Sequence, residues 1–280
     1  MKFSGLVLLT RPVNAVAAGL ATILGVLVAG GSLSFGVFMP VAIVGLITAA
    51  GNAVNDCFDL AIDAVNRPDR PIPSGKVTLR QAYLFSALLF ILGVALSSFT
   101  NRLCLLIALF NSLLLVLYAC RLKRVPIAGN LAVSYLAASI FLFGGAFTGM
   151  GGLLANGAMA LVTLFAMMAR ELLKSAEDLE GDMMGGASTF PVRYGVRRTS
   201  IVAFACISGA VLFSLLPIMP GWGIFYVLAI ACADAWMLIG AAKALYCLSP
   251  DCIRSIGASR RLKEGMFAAV AIFVAAALFG

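Results

Sequence analysis

Apolar residues recur along the chain in runs of about 17–25 positions, the length that carries a helix across roughly 30 Å of hydrocarbon. Nine such runs can be marked, at roughly 13–33, 37–55, 82–100, 103–120, 127–149, 153–170, 199–218, 222–245 and 265–280. Between them stand short stretches dense in Gly, Pro and charge. The pattern predicts an all-α fold, a multi-span transmembrane helical bundle of about nine helices, with residues 1–280 forming a single domain. Residues Met1 to Arg11 lack the order of a cleaved leader, so the first apolar run is expected to remain as a span.

Composition agrees with lipid as the main solvent: 62% of residues are apolar and 11% charged, against about 25% charged in an ordinary soluble domain. When the Lys and Arg residues are sorted among the connections, 19 of the 20 fall on one side and Arg102 alone on the other. This predicts a multi-pass cell-membrane protein with a cytoplasmic amino terminus and an external carboxyl terminus. The net charge of +8 is then a topology signal rather than a footprint of nucleic acid. Membrane lipids are the expected surroundings, and no obligate protein partner is inferred. The chain has no histidine, so its chemistry must run on carboxylates, hydroxyls, amides, thiols or bound ions. The seven cysteines form no CxxC pair and are expected to pack as small hydrophobes.

Two cytoplasmic connections, 56–81 and 171–198, are longer than a simple turn requires. The first opens with NAVNDCFDLAID. On a continuous helix Asn52, Asp56, Asp59 and Asp63 would stack on one face, with Asn55 aligned to Asp59. Such a stripe of carboxylates repels itself unless a cation intervenes. Oxygen-only donors select a hard divalent ion, and Mg²⁺ completes its shell with water and phosphate. The second connection reads RELLKSAEDLEGD, in which Lys174, Asp178 and Asp182 share a face. A solvated, salt-bridged helix end is the plain alternative for that string, but two acidic stripes on one side favour a shared metal and phosphate site. Between them, NRPDRPIPSG carries Arg67 and Arg70 on a chain stiffened by prolines, a setting that suits bidentate guanidinium–phosphate contacts. Arg11, Asn14, Tyr118, Lys123 and Asn130 are further candidates on the same side. Asp234 stands alone in the eighth run, where it could serve function or simply bond a neighbouring helix.

NDCFDLAID matches the NDxxDxxxD motif of UbiA-type intramembrane prenyltransferases, and Lys174, Asp178 and Asp182 match the second, KxxxDxxxD. RPVN at 11–14, NRPDRPIPSG, LKRVPIAGN and TFPVRYG are similar too, so the resemblance covers most of the chain. It implies a Mg²⁺-dependent enzyme whose helices surround a central cavity with a cytoplasmic-side active site, and whose substrates are an allylic prenyl diphosphate and a lipid-like acceptor. The metal ligands would be Asn55, Asp56, Asp59, Asp63, Asp178 and Asp182. Arg67, Arg70, Lys123 and Lys174 would stabilise the departing diphosphate. The branch it resembles most is the archaeal one that joins geranylgeranyl to geranylgeranylglyceryl phosphate; an aromatic quinone precursor or a tetrapyrrole acceptor is the alternative. Where the family often has KDxxD this chain has Ser175, and Glu177 is expected to supply the missing carboxylate. Three competitors are disfavoured: a cation-coupled transporter, whose acids would sit near the bilayer midplane, a CDP-alcohol phosphotransferase, whose DG and AR pattern is lacking, and a structural scaffold, which needs no acidic stripes.

Overall fold

The structure, a computed structural model, describes residues 3–214 and 223–279. Lys2, the end of the seventh expected span, most of the 217–223 loop and Gly280 lie outside them. Every regular element among the described residues is a helix: α1 (Phe3–Thr10), α2 (Pro12–Val28), α3 (Phe38–Phe58), α4 (Leu60–Asn66), α5 (Leu79–Ser97), α6 (Arg102–Cys120), α7 (Ala128–Phe147), α8 (Met150–Ala155), α9 (Gly157–Glu177), α10 (Leu179–Met184), α11 (Phe190–Ser214), α12 (Gly223–Ala244), α13 (Pro250–Ile256) and α14 (Ala258–Phe279). Among the described residues, six helices are long and apolar enough to cross a membrane, and seven if α1 and α2, bent by 46°, count as one span. The other long helices, α9 and α14, occupy the sixth and ninth expected runs but extend into charged sequence: Arg170 to Glu177 closes α9, and Arg260 to Glu264 opens α14.

The chain packs as two compact units, Met1–Arg121 with Ile140–Leu154, and Leu122–Ser139 with Ala155–Gly280. In the first, α3 is the hub, touching α1, α2, α5 and α6. Ile43, Val44 and Ile47 on α3 meet Ala18, Cys104, Ala108, Phe143 and Ala146. Association inside lipid gains little from hydrophobicity, so close packing and polar bonds must do the holding. Accordingly Ser86 Oγ donates to the Ala50 carbonyl at 2.9 Å, and Asn101 both caps α6 and donates to the Ala146 carbonyl at 2.7 Å. At the α2 crossing, a Cβ on Gly25 would lie 2.8 Å from the Phe141 carbonyl oxygen, and one on Gly144 2.5 Å from that of Thr22. Two glycines there let backbone rest on backbone. The outward face of α6 presents Leu106, Phe110 and Leu113, spaced to form one lipid-facing stripe.

In the second unit α9 lies against α11, α13 and α14, and α12 pairs with α14. Leu172, Leu173 and Ala176 on α9 share a core with Ala203, Ile207, Ile253 and Leu262. The described α11 begins nine residues before the expected start at 199, and Gly195 at φ 81°, ψ 164° interrupts it. Only glycine adopts that backbone without strain. Asp234 is buried and accepts a hydrogen bond from Ser214 Oγ at 2.5 Å, tying α12 to α11. The cysteine expectation needs correction at two positions: Cys247 and Cys252 form a disulfide across the turn between α12 and α13. Their spacing of five residues has no motif that sequence inspection would flag.

Candidate active site

The first acidic motif does not form the continuous helix that its 4, 3, 4 spacing predicts. α3 ends at Phe58, Asp59 takes φ −90°, ψ 4°, and α4 starts at Leu60. The ladder continues through the bend, with the Asp59 N–H on the Asn55 carbonyl at 3.0 Å and the Asp63 N–H on the Asp59 carbonyl at 2.8 Å. The chain therefore turns without losing these bonds. Asn55 Nδ2 donates to Asp59 Oδ2 at 2.8 Å, the alignment expected from their spacing.

Asp56 and Asp63 are buried, and the cations that relieve their repulsion are arginines. Arg70 Nη1 donates to Asp56 Oδ1 at 3.1 Å and also to Asp63 Oδ2, while Arg11 Nη2 reaches Asp56 Oδ1 at 2.5 Å. Arg70, expected to face phosphate, thus bridges two carboxylates with its guanidinium. The turn that presents it is folded by local bonds, Arg70 N–H to the Arg67 carbonyl at 3.0 Å and Ser74 N–H to the Arg70 carbonyl at 2.9 Å. Arg67, in the same turn, is exposed.

Arg11 stands between α1 and α2 in the left-handed region, φ 49°, ψ 71°. For a non-glycine residue that backbone costs about 1–3 kcal/mol, and Pro12 after it disfavours the right-handed helical alternative. Asn52 Nδ2 holds the preceding carbonyl, Thr10 O, at 3.0 Å, so α3 itself fixes where Arg11 emerges. Asn14 lies exposed in the first turn of α2.

The second motif repeats the bend. α9 ends at Glu177, Asp178 takes φ −91°, ψ 6°, and α10 follows from Leu179. Asp178 N–H bonds the Lys174 carbonyl and Asp182 N–H the Asp178 carbonyl, both at 3.0 Å. Lys174 and Asp178 are exposed and Asp182 is half-buried. Burial pushes the Asp182 carboxyl above the usual carboxylate range, Thr189 lowers it, Asp178 adds to the rise and Lys174 opposes it. Asn130 Nδ2 donates to Ser175 Oγ at 3.3 Å. The carboxylate of Glu177, expected to stand in for the one missing at 175, accepts from the Ser259 N–H at 3.3 Å and from Ser259 Oγ at 2.7 Å.

The grouping of Tyr118, Lys123 and Asn130 divides. Tyr118, half-buried near the end of α6, belongs to the first unit, whereas Lys123 and Asn130 belong to the second. Lys123 is held beside the start of α7, because Gly129 rests on the Leu122 carbonyl and the Lys123 backbone.

Among the described residues no three acidic or thiol side chains converge as a ready-made metal cage. The donors still fit Mg²⁺ by their chemistry. That ion is commonly held by one or two carboxylates while water and substrate phosphate complete its octahedron. Asp59 with Asn55, and Asp178 with Asp182, are oxygen donors of that kind. Sequence reasoning missed Arg254 and Ser259, whose attachment to Glu177 spans 77 and 82 residues and has no local signal.

The UbiA prenyltransferase family matches residues 16–255. The chain is 51% identical to a digeranylgeranylglyceryl phosphate synthase of Methanoculleus marisnigri, over 99% of this chain and 100% of that protein. A solved structure of digeranylgeranylglyceryl phosphate synthase in membranes superposes with a TM-score of 0.86 at 34% identity, covering 99% of each chain. A UbiA homologue from Archaeoglobus fulgidus, solved bound to DMAPP and Mg²⁺, shares the fold at a TM-score of 0.62 and 17% identity, over 95% of this chain and 99% of that one.

Proposed function

This chain belongs to the UbiA prenyltransferase family, and from that premise we propose that it transfers geranylgeranyl from geranylgeranyl diphosphate to geranylgeranylglyceryl phosphate, giving digeranylgeranylglyceryl phosphate for ether lipids. The observation that carries the reading is the 51% identity to a synthase of that name along 99% of the chain, with both acidic motifs present. The protein is a multi-pass membrane prenyltransferase. We assign its amino terminus and acidic connections to the cytoplasm and its carboxyl terminus to the outside, on the strength of the lopsided Lys and Arg distribution. We take residues 1–280 as one functional domain because the identity to the synthase runs along 99% of the chain.

Ionising an allylic C–O bond puts negative charge on the leaving diphosphate, so catalysis consists largely of cations and dipoles arranged in advance. Asn55, Asp56, Asp59, Asp63, Asp178 and Asp182 are the residues that would hold Mg²⁺. Bound there, the ion would neutralise the diphosphate as charge develops. Arg67, Lys123 and Lys174 bind phosphate oxygens. Arg70 does so by exchange: a diphosphate takes the guanidinium from its carboxylates, which releases Asp63 and leaves Asp56 with Arg11. The apolar interior takes the isoprenoid tail and keeps water from the allylic carbon. When the acceptor hydroxyl bonds that carbon its proton passes to a motif carboxylate or to the departing diphosphate. No stronger base is needed, in keeping with a chain that has no histidine. Arg11, Asn14, Tyr118 and Asn130 complete the binding set, with Arg11 serving the acceptor phosphate.

The test is incubation of purified protein with geranylgeranyl diphosphate, Mg²⁺ and either geranylgeranylglyceryl phosphate or 4-hydroxybenzoate, with products identified by mass. Product is expected with the glycerol lipid only; prenylation of the aromatic acid instead would overturn the acceptor assignment.

A further inference from the structure

Glu177, the last residue of α9, is gripped from the carboxyl-terminal part of the chain. Arg254 Nε donates to its carbonyl oxygen at 2.8 Å, and Ser259 donates twice to its carboxylate. Arg254 is held in turn, with Nη1 on Asp251 at 2.8 Å and Nη2 on Glu180 at 3.5 Å. Residues 251–259 thus grip the α9–α10 junction on both sides of Asp178, at Glu177 before it and Glu180 after it.

The gripping segment has little room to move. Ile253 and Leu262 are fully buried and pack in one core with Leu172, Leu173 and Ala176 of α9. The Cys247–Cys252 disulfide closes the turn that leads into it. A carbonyl at a helix carboxyl end carries the negative pole of the helix dipole, and a cation there is favourable. The two motifs use their cations differently. Arg11 and Arg70 bond the carboxylates of the first motif directly, whereas Arg254 bonds the backbone and Glu180 beside the second.

We propose that Arg254, supported by Ser259, is a positioning residue that fixes the bend at Asp178 and so aims Asp178 and Asp182 at magnesium diphosphate. The proposal rests on the prenyl-transfer reading above. It adds to that reading a carboxyl-terminal segment, α13 and the start of α14, as part of the apparatus that orients the site.

The experiment compares wild type with Arg254→Gln, Arg254→Lys, Ser259→Ala and Arg260→Gln, the last altering an exposed ion pair to Glu264 on α14. Two quantities are read: transfer rate against Mg²⁺ concentration, and calorimetric binding of the inert analogue geranylgeranyl thiodiphosphate with Mg²⁺. Loss of an orienting contact beside a metal ligand typically costs about 10–100-fold in metal affinity. Arg254→Gln is expected to raise half-saturating Mg²⁺ and weaken analogue binding by about that factor. Arg254→Lys should restore part of the loss, Ser259→Ala should shift both quantities the same way by a smaller factor, and Arg260→Gln should match wild type. Wild-type Mg²⁺ dependence and analogue affinity in Arg254→Gln would overturn the proposal, as would a fall in kcat with both unchanged. Should Arg254→Gln fail to fold, Ser259→Ala decides on the same criteria. Wild type that binds the analogue but transfers nothing would instead sink the prenyl-transfer reading, leaving the binding comparison to judge Arg254 separately.

Discussion

Asp59 and Asp178 adopt one backbone conformation, φ −90°, ψ 4° and φ −91°, ψ 6°, and each separates a long helix from a short one. In both places the next motif aspartate, Asp63 or Asp182, donates its N–H back to the carbonyl of the bend residue. The shared device argues that these two residues have the same job in their respective motifs.

Asp59→Ala and Asp178→Ala are therefore expected to lower kcat by roughly 10²–10³-fold, the usual cost of removing one element of transition-state charge stabilisation. Asp182→Ala should do the same. Helical content by circular dichroism should match wild type in all three, and near-normal rates in any one would remove it from the site.

Arg70→Ala leaves Asp56 and Asp63 buried without the guanidinium that bridges them. Breaking a buried pair costs about 3–5 kcal/mol, so unfolding in detergent should shift by a comparable amount. Adding Asp63→Asn to Arg70→Ala should recover part of the loss. If the two losses simply add, the bridge contributes nothing to folding.

Chelation of divalent ions is expected to stop transfer, and added Mg²⁺ to restore it. Ca²⁺ should restore less, because it prefers longer bonds and more ligands than an octahedral phosphate-bound ion. The half-saturating Mg²⁺ concentration should also rise as pH is lowered. The Asp182 carboxyl is raised above the ordinary range, so its proton competes with the metal sooner on acidification. Full activity in the presence of chelator would exclude the proposed cofactor.

Ser214→Ala removes the donor to buried Asp234. An unpaired buried acceptor costs about 1–3 kcal/mol, so the unfolding midpoint should fall while KM for both substrates stays as in wild type. A changed KM with unchanged stability would move Asp234 from helix packing into the substrate path.

How far the sequence alone could see depended on the range of each interaction. The apolar runs located the long helices, and the i, i+4 spacing of Asn55 and Asp59 predicted the alignment that their hydrogen bond displays, because both signals are local. The same spacing implied an unbroken stripe, but hydrophobic period carries no information about a ψ near 4° at Asp59. It also called for a cation beside the acids and named Mg²⁺, with no signal that Arg11 and Arg70 bond Asp56 and Asp63. Arg70 reaches Asp56 from 14 residues away through the fold of the RPIPSG turn, and Arg11 from 45 residues away through the Asn52–Thr10 anchor. Glu177 reads in the sequence as a substitute carboxylate, since its partners Arg254 and Ser259 lie beyond three and four further helices.

The paired glycines 25 and 144 limit how this protein can adapt to its bilayer. With backbone resting on backbone, even a methyl group at either position would push the strands of contact apart, so the crossing has no intermediate spacing to pass through. A thicker or thinner lipid layer must then be accommodated by tilt or by distortion of the surrounding lipid, not by one segment sliding along the other.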